Sequence, residues 1–470
     1  MEQANTKPAN PLGYQNIGKL IVRFSTPAIL SNLTNAIYNI VDQVYIGHGI
    51  GTAGIAATNV AFPLNTLTSA LAYMIASGSA SNFNLYQGAG RHEEAVKVAG
   101  NGLTMSVVSG TILCLISCIF LTPLLRAFGA SDEIMGFAID YTFIVAIGIP
   151  FQIFTLAACQ LIRSDGTPNW SMVCLIAGSV FNLIFDPVFM FTFGWGIKGI
   201  AWATTMGQML SAFLALLYFL RGMKTVRLTR NVFIPELSCM KSICALGMAG
   251  FFNMVATTLV QIVMNNTLNY YGDLSRYGST VTLGAVGAIS KINFIYTSCC
   301  YGFGQGCQPI YGFNYGAKNY ARVKETLTTA MICITSISIG FFALFQLLPH
   351  QIISIFGEGT EMYYEFSTRY LQIFMLMTFA NGMQPLTGGF YTATGRAKIG
   401  MFVTMTRQLI FLIPLLLILP IFYNIDGVIY AGPISDFVAA LIAVILVYRE
   451  MKRLGALSRQ LEIPGAGQLL

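Results

Sequence analysis

The stretch MSVVSGTILCLISCIFLTPLL, residues 105–125, decides the fold class of this chain. Its 21 residues carry no charge, and a helix of about 20 apolar residues spans the roughly 30 Å hydrocarbon core of a bilayer. QLIFLIPLLLILPIFY at residues 408–423 is a second such run, and twelve can be counted along the chain. We therefore predict twelve membrane-spanning helices.

The composition agrees with a chain that is dissolved in lipid. Of 470 residues, 55% are hydrophobic and 10% are charged, with a mean hydropathy of +0.65, and no soluble domain could cover such a surface with polar groups. An even number of spans puts both termini on one side. About 20 of the 26 lysines and arginines fall on that side, which the positive-inside rule identifies as the cytoplasm.

The net charge of +7 therefore follows from topology and predicts no binding of nucleic acid. The first apolar stretch lacks the pattern of a cleavable signal, so we expect it to remain in the mature protein. The ten cysteines lie mostly inside apolar spans, and the three histidines share no motif. We predict neither a catalytic centre nor a cofactor, apart from a coupling ion.

An internal repeat divides the chain into two similar halves. YQGAGRHEEAVKV at residues 86–98 recurs as NYGAKNYARVKET at residues 314–326, an offset of 228 residues. Phe128-Gly129 recurs at the same offset as Phe356-Gly357. Two further matches keep nearly the same offset: RSDG ending at Gly166 with TATG ending at Gly395, and GIKGIAWA with NIDGVIYA, which pairs Gly199 with Gly427.

Because four matches hold one register, we predict an all-α membrane protein made from a duplicated six-helix unit. Six is even, so the two lobes are related by a pseudo-two-fold axis along the membrane normal, and substrate is expected between them. The predicted segments are an N-lobe at residues 1–225, a basic cytoplasmic connection at 226–240, a C-lobe at 241–455 and a cytoplasmic tail at 456–470.

Polar residues inside the spans are few, and those of the N-terminal half form two groups. Asn32, Asn35, Asn39 and Asp42 step by three, four and three residues, which places them on one face of the first helix. In the fifth helix, Asn182 and Asp186 are four apart and therefore adjacent.

Pro187 follows Asp186 and cannot donate a hydrogen bond to the carbonyl of Leu183, so we expect a kink there. Asp186 and Thr204 are each nine residues from the turn near Trp195, about 13 Å deep, and Asp42 has a similar depth. One layer could hold all three. A cation or proton site is the functional interpretation; the alternatives are buried aspartates held by hydrogen bonds, or an Asp42 hydrated at the mouth.

The C-terminal half has a polar first helix without a carboxylate. Asn253, Thr257, Gln261 and Asn265 step by four residues, so we expect the coupling chemistry to lie in the N-terminal half. Polar residues of the first, seventh and eighth spans are candidates for the substrate pathway, with a structural role as the alternative for Lys291. These candidates are Asn35, Tyr38, Asn39, Gln261, Asn265, Lys291, Asn293 and Tyr296.

Arg407 and Asp436 are the remaining charges inside spans. Counted from the turn near Ile425, their backbones differ in depth by about 10 Å. We therefore expect no direct salt bridge between them.

These features together resemble the MATE (multidrug and toxic compound extrusion) transporters over the whole chain, and within them the DinF-like branch and its MepA-type exporters. The segments that carry the resemblance are YNIVDQVYIG around Asp42, FNLIFDP with Asn182 and Asp186, Thr204 in the sixth helix, and the two repeated loops GAGRHEEA and GAKNYARV.

The resemblance implies that Asp42, Asn182, Asp186 and Thr204 bind Na⁺ or H⁺. NorM-type members use carboxylates in the seventh and tenth helices, which this sequence lacks. The resemblance also implies a V-shaped fold, alternating access, and antiport of cationic or amphipathic drugs at the bacterial cytoplasmic membrane. We expect a monomer whose partners are small-molecule drugs or organic cations and the lipid bilayer.

Two other functions remain open. A lipid-linked oligosaccharide flippase would share the two-lobed pattern but would have more basic residues in its central cavity than Lys291 and Arg407. An integral membrane enzyme would need His and Asp motifs at the membrane interface, and none is found.

Overall fold

The structure is a computed structural model that describes residues 10–227, 229–355 and 360–462. Those residues contain helices and no strands. Twelve long helices follow one another, and the predicted fold class, an all-α membrane protein with two six-helix lobes, is confirmed. Phe356-Gly357, the second member of one predicted repeat, lies outside the described residues.

The N-lobe contains the first six long helices. Two of them, α2 and α3, are joined by a tight turn, and a short helix, Leu121–Ala127, lies between α3 and α4. The bounds are α1 Ile17–Gly49, α2 Thr52–Gly88, α3 His92–Ile119, α4 Asp132–Ser164, α5 Pro168–Pro187 continued by a π-helical segment Val188–Thr192, and α6 Ile197–Arg221.

The C-lobe repeats this arrangement with two interrupted helices. Its bounds are α7 Leu237–Asp273, α8 Gly278–Gly316, α9 Tyr320–Leu347, α10 in the pieces Glu361–Phe374, Thr378–Asn381 and Met383–Ala393, α11 as Ala397–Met405, a π-helical segment Thr406–Leu412 and Ile413–Tyr423, and α12 Ile425–Glu462. A short helix, Pro349–Ser354, precedes α10.

Nine of the helices in the described ranges are long and apolar enough to cross a membrane. The other three spans are α1, α8 and the interrupted α10. The polar residues of α1 and α8 lower their apolar content, and these two helices contact each other between the lobes. Composition and position therefore agree, because side chains between the lobes need not be lipid-soluble.

The repeated loops have the same backbone geometry in both lobes. After α2, the Arg91 amide donates to the Tyr86 carbonyl at 2.9 Å; after α8, the Asn319 amide donates to the Asn314 carbonyl at 2.9 Å, 228 residues later. The residue before each donor has positive φ, 74° at Gly90 and 57° at Lys318. The internal repeat is thus a repeat of structure.

The two ends of the molecule differ. We call the end that holds the described chain ends the terminal end, and the opposite end the distal end. Close contacts between the lobes occupy the terminal half, where α1 packs on α8 and α2 packs on α7. A Cβ at Gly306 would overlap the backbone of Ser25, and one at Gly247 would overlap the carbonyl of Met74. Only glycine lets these backbones approach so closely.

Hydrogen bonds extend the seal between the lobes. Within the described residues, those that join the two lobes lie between the middle of the helices and the terminal end. Gln308 of α8 accepts from Gln160 of α4 at 3.2 Å and donates to Ser81 of α2 at 2.9 Å. The lobes are therefore closed against each other at the terminal end.

The segment that connects the lobes is fastened to α3. The Asn101 side chain donates to the Val232 carbonyl at 3.3 Å and accepts from the Glu236 amide at 2.7 Å. Thr104 donates to the Phe233 carbonyl at 3.0 Å. These bonds satisfy backbone groups of a segment that has little regular structure of its own.

Candidate functional site

Three of the predicted cation-site residues are joined by hydrogen bonds inside the N-lobe. The Asn182 amide donates to Asp186 Oδ1 at 3.0 Å and to Thr204 Oγ1 at 3.0 Å. Asn182 and Asp186 share a face of α5, and Thr204 comes from α6, so the bonds span two helices. The common depth predicted for Asp186 and Thr204 is what allows this contact.

Asp42 of α1 completes the group. It lies within hydrogen-bonding reach of the side chains of Asp186 and Asn182. Asp42 is 6% exposed, Asn182 3% and Asp186 0%. The predicted alternative of an Asp42 hydrated at the mouth therefore does not hold in this conformation, because the carboxyl group is enclosed.

The defining feature of this group is an excess of acceptors. Asp42 Oδ1, Asn182 Oδ1 and Asp186 Oδ2 are all buried and none has a hydrogen-bond donor. Carboxylate and amide oxygens repel one another unless a positive charge or a proton lies between them, and burial makes this costlier. Oxygen ligands of this kind are those that hard cations prefer.

The end of α5 positions these oxygens. Pro187 cannot donate to the Leu183 carbonyl, and directly after it the helix changes to the π-helical segment Val188–Thr192. π-helical turns occur often at functional sites. The expected break in the helix after Asp186 is thus present as a change of helical hydrogen-bonding pattern.

Two tyrosines surround the group. Tyr141 of α4 and Tyr38 of α1 lie near both Asp42 and Asp186. Tyr38 is one of the predicted substrate-pathway residues, whereas Tyr141 is not among the residues singled out from the sequence. Tyr141 sits in an apolar span without polar neighbours at helical spacing, so no local signal indicates it.

The other substrate-pathway candidates fall into three environments. Asn35 and Asn39 of α1 are exposed, and the Asn39 amide donates to Asn35 Oδ1 at 3.2 Å. They lie on the distal half of α1, beyond the closed contacts. Asn293 is partly buried, and its Oδ1 has no donor. The residues exposed on α7 and α8 are Gln261, Asn265 and Lys291.

Tyr296 is a correction to the predicted pathway. It is 1% exposed, its hydroxyl lies 3.0 Å from Ser338 Oγ, and it donates to the Thr378 carbonyl at 3.0 Å. Its ring packs against Phe341. Tyr296 therefore belongs to the interior of the C-lobe, because its helix face points toward α9 and α10 and not toward the N-lobe.

The expectation of no salt bridge between Arg407 and Asp436 is wrong. Arg407 Nε donates to Asp436 Oδ1 at 2.5 Å, and Asn381 donates to Asp436 Oδ2 at 3.2 Å. Counting depth from residue numbers assumes straight α-helices, but Arg407 lies in the π-helical segment of α11, where more residues fit into each turn. The long arginine side chain covers the remaining distance.

Arg163 is also placed differently from the sequence expectation, which counts it among the charges of the cytoplasmic loops. It is 3% exposed and lies where the lobes meet, with Nη1 donating to Gln305 Oε1 at 2.8 Å. The polar face of α1 ends at the same place, because Asn32 donates to Gln305 Oε1 at 3.3 Å. Nothing in the RSDG motif distinguishes such an arginine from a solvated one.

Comparison with known proteins gives one consistent result. The MatE family profile matches residues 27–188 and 251–418. The multidrug export protein MepA of Staphylococcus aureus (strain NCTC 8325 / PS 47) is 23% identical over 438 residues, which cover 93% of this chain and 94% of MepA.

Solved structures agree with the sequence relatives. The MATE multidrug transporter DinF-BH, solved in complex with the dye rhodamine 6G, is 34% identical, has a TM-score of 0.85, and covers 96% of this chain and 98% of its own. A multidrug resistance MATE family transporter of the MOP superfamily in an outward-facing conformation is 21% identical, with a TM-score of 0.89 and coverage of 96% and 99%.

Proposed function

Because the chain belongs to the MatE family of multidrug efflux transporters, we propose that it is an antiporter that exports cationic or amphipathic compounds in exchange for H⁺ or Na⁺. The observation that carries this proposal is the set of three buried oxygens without donors, on Asp42, Asn182 and Asp186. Such a group gains most from binding a proton or a hard cation.

The proposed coupling ion binds to residues from three helices. Asp42 belongs to α1, Asn182 and Asp186 to α5, and Thr204 to α6. A cation or proton would neutralise the repulsion between the carboxylates and hold α1 against α5. Its release would free α1, which also forms part of the seal with α8 through Ser25. Ion occupancy and lobe closure thus share one helix.

The orientation follows from charge. Since most lysines and arginines lie on the side of the termini, we place the terminal end in the cytoplasm and the distal end outside. The lobes are closed at the terminal end, so the conformation described here corresponds to one that is open to the outside. Substrate would leave, and the coupling ion would enter, from that side.

The energetics are feasible for a secondary transporter. One elementary charge that moves inward across 100 mV supplies about 2.3 kcal/mol, whereas inverting a 1:99 ratio of two states takes about 5.5 kcal/mol. A full switch would therefore draw on more than one charge or on a concentration gradient as well. Alternating access remains a population shift that the ion biases.

The substrate class is proposed from the relatives and from the exposed face of the distal half. DinF-BH has been solved in complex with rhodamine 6G, and we expect dyes of that kind to be transported here. The exposed amides of Asn35, Asn39, Gln261 and Asn265 can hydrogen-bond a substrate without imposing a charge requirement.

The test is transport in proteoliposomes with one imposed gradient at a time. The wild type should move rhodamine 6G when either a proton or a sodium gradient is applied, and the effective gradient identifies the coupling ion. Asp42→Asn and Asp186→Asn should each lose gradient-driven transport. Asp140→Asn serves as a control, because Asp140 is an exposed partner of Lys198 at the distal end. Unchanged gradient-driven transport in both site variants would overturn the proposal.

A further inference from the structure

A small cavity of about 20 Å³ lies in the seal between the lobes. Its polar lining comes from four helices: Asn32 of α1, Tyr73 of α2, Gln160 and Arg163 of α4, and Gln305 of α8. The remaining wall is apolar. A cavity of this size has room for one water molecule or one ion of similar size.

Arg163 brings an unpaired positive charge into this cavity. It is 3% exposed, and no carboxylate in the described ranges lies within ion-pairing distance of its guanidinium. The titratable groups close to it are Tyr73 and Cys159. Asp165 is two residues away, but its carboxylate accepts from Tyr218 and from the Lys224 and Thr225 amides.

The hydrogen-bonding capacity of Arg163 is also unused. A guanidinium has five N–H donors and stays protonated in proteins. Nη1 donates to Gln305, whereas Nε is buried and has no acceptor. Gln305 Oε1 accepts from both Arg163 and Asn32, which leaves the Gln305 amide group free to donate into the cavity.

An unpaired buried charge costs several kcal/mol, and water in the cavity would not neutralise it. We propose that this cavity is a binding site for a halide-sized anion, held by the Arg163 guanidinium and the amide of Gln305. Arg163 belongs to the N-lobe and Gln305 to the C-lobe, so the bound anion connects the lobes. It stabilises the conformation that is closed at the terminal end.

The test uses the full-length protein in detergent and compares its Tm in potassium chloride with its Tm in potassium gluconate at equal ionic strength. Chloride should raise the Tm by about 2 to 5 °C, because only the folded state binds it. Bromide should do the same. Equal Tm values in chloride and gluconate would overturn the proposal.

Two variants test the site itself. Arg163→Gln should lose the chloride effect. Gln305→Glu should lose it as well while folding stably, because the new carboxylate lies beside the guanidinium and takes the place of the anion. Gln305→Glu therefore carries the test if Arg163→Gln does not fold. A chloride effect that persists in Gln305→Glu contradicts the assignment.

The control is Arg396→Gln. Arg396 is a second buried arginine near the terminal end, but both of its Nη atoms donate to Glu450 at 2.6 Å. It has its own counter-ion, so the variant should keep the chloride effect. Crystals grown in bromide should show an anomalous peak beside the Arg163 guanidinium, and a peak elsewhere only would also refute the proposal.

Discussion

Replacing Asp436 by asparagine should destabilise the C-lobe strongly. Asp436 is 2% exposed, and its two oxygens accept from Arg407 at 2.5 Å and from Asn381 at 3.2 Å. Asparagine keeps the shape but removes the charge, so Arg407 remains buried without a counter-ion. Breaking one partner of a buried pair costs about 3 to 5 kcal/mol.

The same pair predicts a rescue. Replacing both residues, as in Arg407→Gln with Asp436→Asn, removes the unpaired charge and leaves two side chains that can hydrogen-bond each other. We expect the double variant to regain most of the stability lost by Asp436→Asn. The coupling energy from the cycle of single and double variants should therefore be large, above about 2 kcal/mol.

The assay is unfolding in detergent, followed by loss of helical signal for the wild type, both single variants and the double variant. Asp426→Asn is the control, because Asp426 pairs with Arg369 at 2.9 Å but both side chains are about one-third exposed. Such a pair contributes at most about 1 kcal/mol. Equal losses in Asp426→Asn and Asp436→Asn, or additive single losses, would refute the reasoning.

Three other perturbations test the seal, the cation site and the connection between the lobes. Gly306→Leu should hold α1 away from α8, so maleimide labelling of the buried Cys307, followed by mass spectrometry, should rise and dye transport should fall; unchanged labelling would contradict the close packing. Asn182→Ala should weaken coupling-ion affinity by about 10- to 100-fold in transport titrations, since it orients Asp186; an unaltered titration would show that Asn182 does not support the site. Asp165→Ala should lower the free energy of unfolding by about 1 to 3 kcal/mol, because the Lys224 and Thr225 amides lose their acceptor; a neutral effect would mean that water replaces it.

The fold class follows from the sequence because membrane solubility imposes simple rules. Each span must be a long apolar helix, so twelve runs predict twelve helices, and the repeat of Gly88 at Gly316 predicts two equivalent lobes. The grouping of Asp186 with Asn182 and Thr204 was also predictable. Helical spacing and depth are one-dimensional quantities, and along regular α-helices they can be counted from residue numbers.

Which buried charges are paired depends on the tertiary structure. Arg407 reaches Asp436 because a π-helical segment interrupts regular counting, and Arg163 is enclosed because α4 and α8 meet at the seal between the lobes. Tyr296 likewise faces its own lobe. Residue spacing gives depth and direction within one helix, whereas partners across helices depend on how the helices rotate and cross, which packing alone sets.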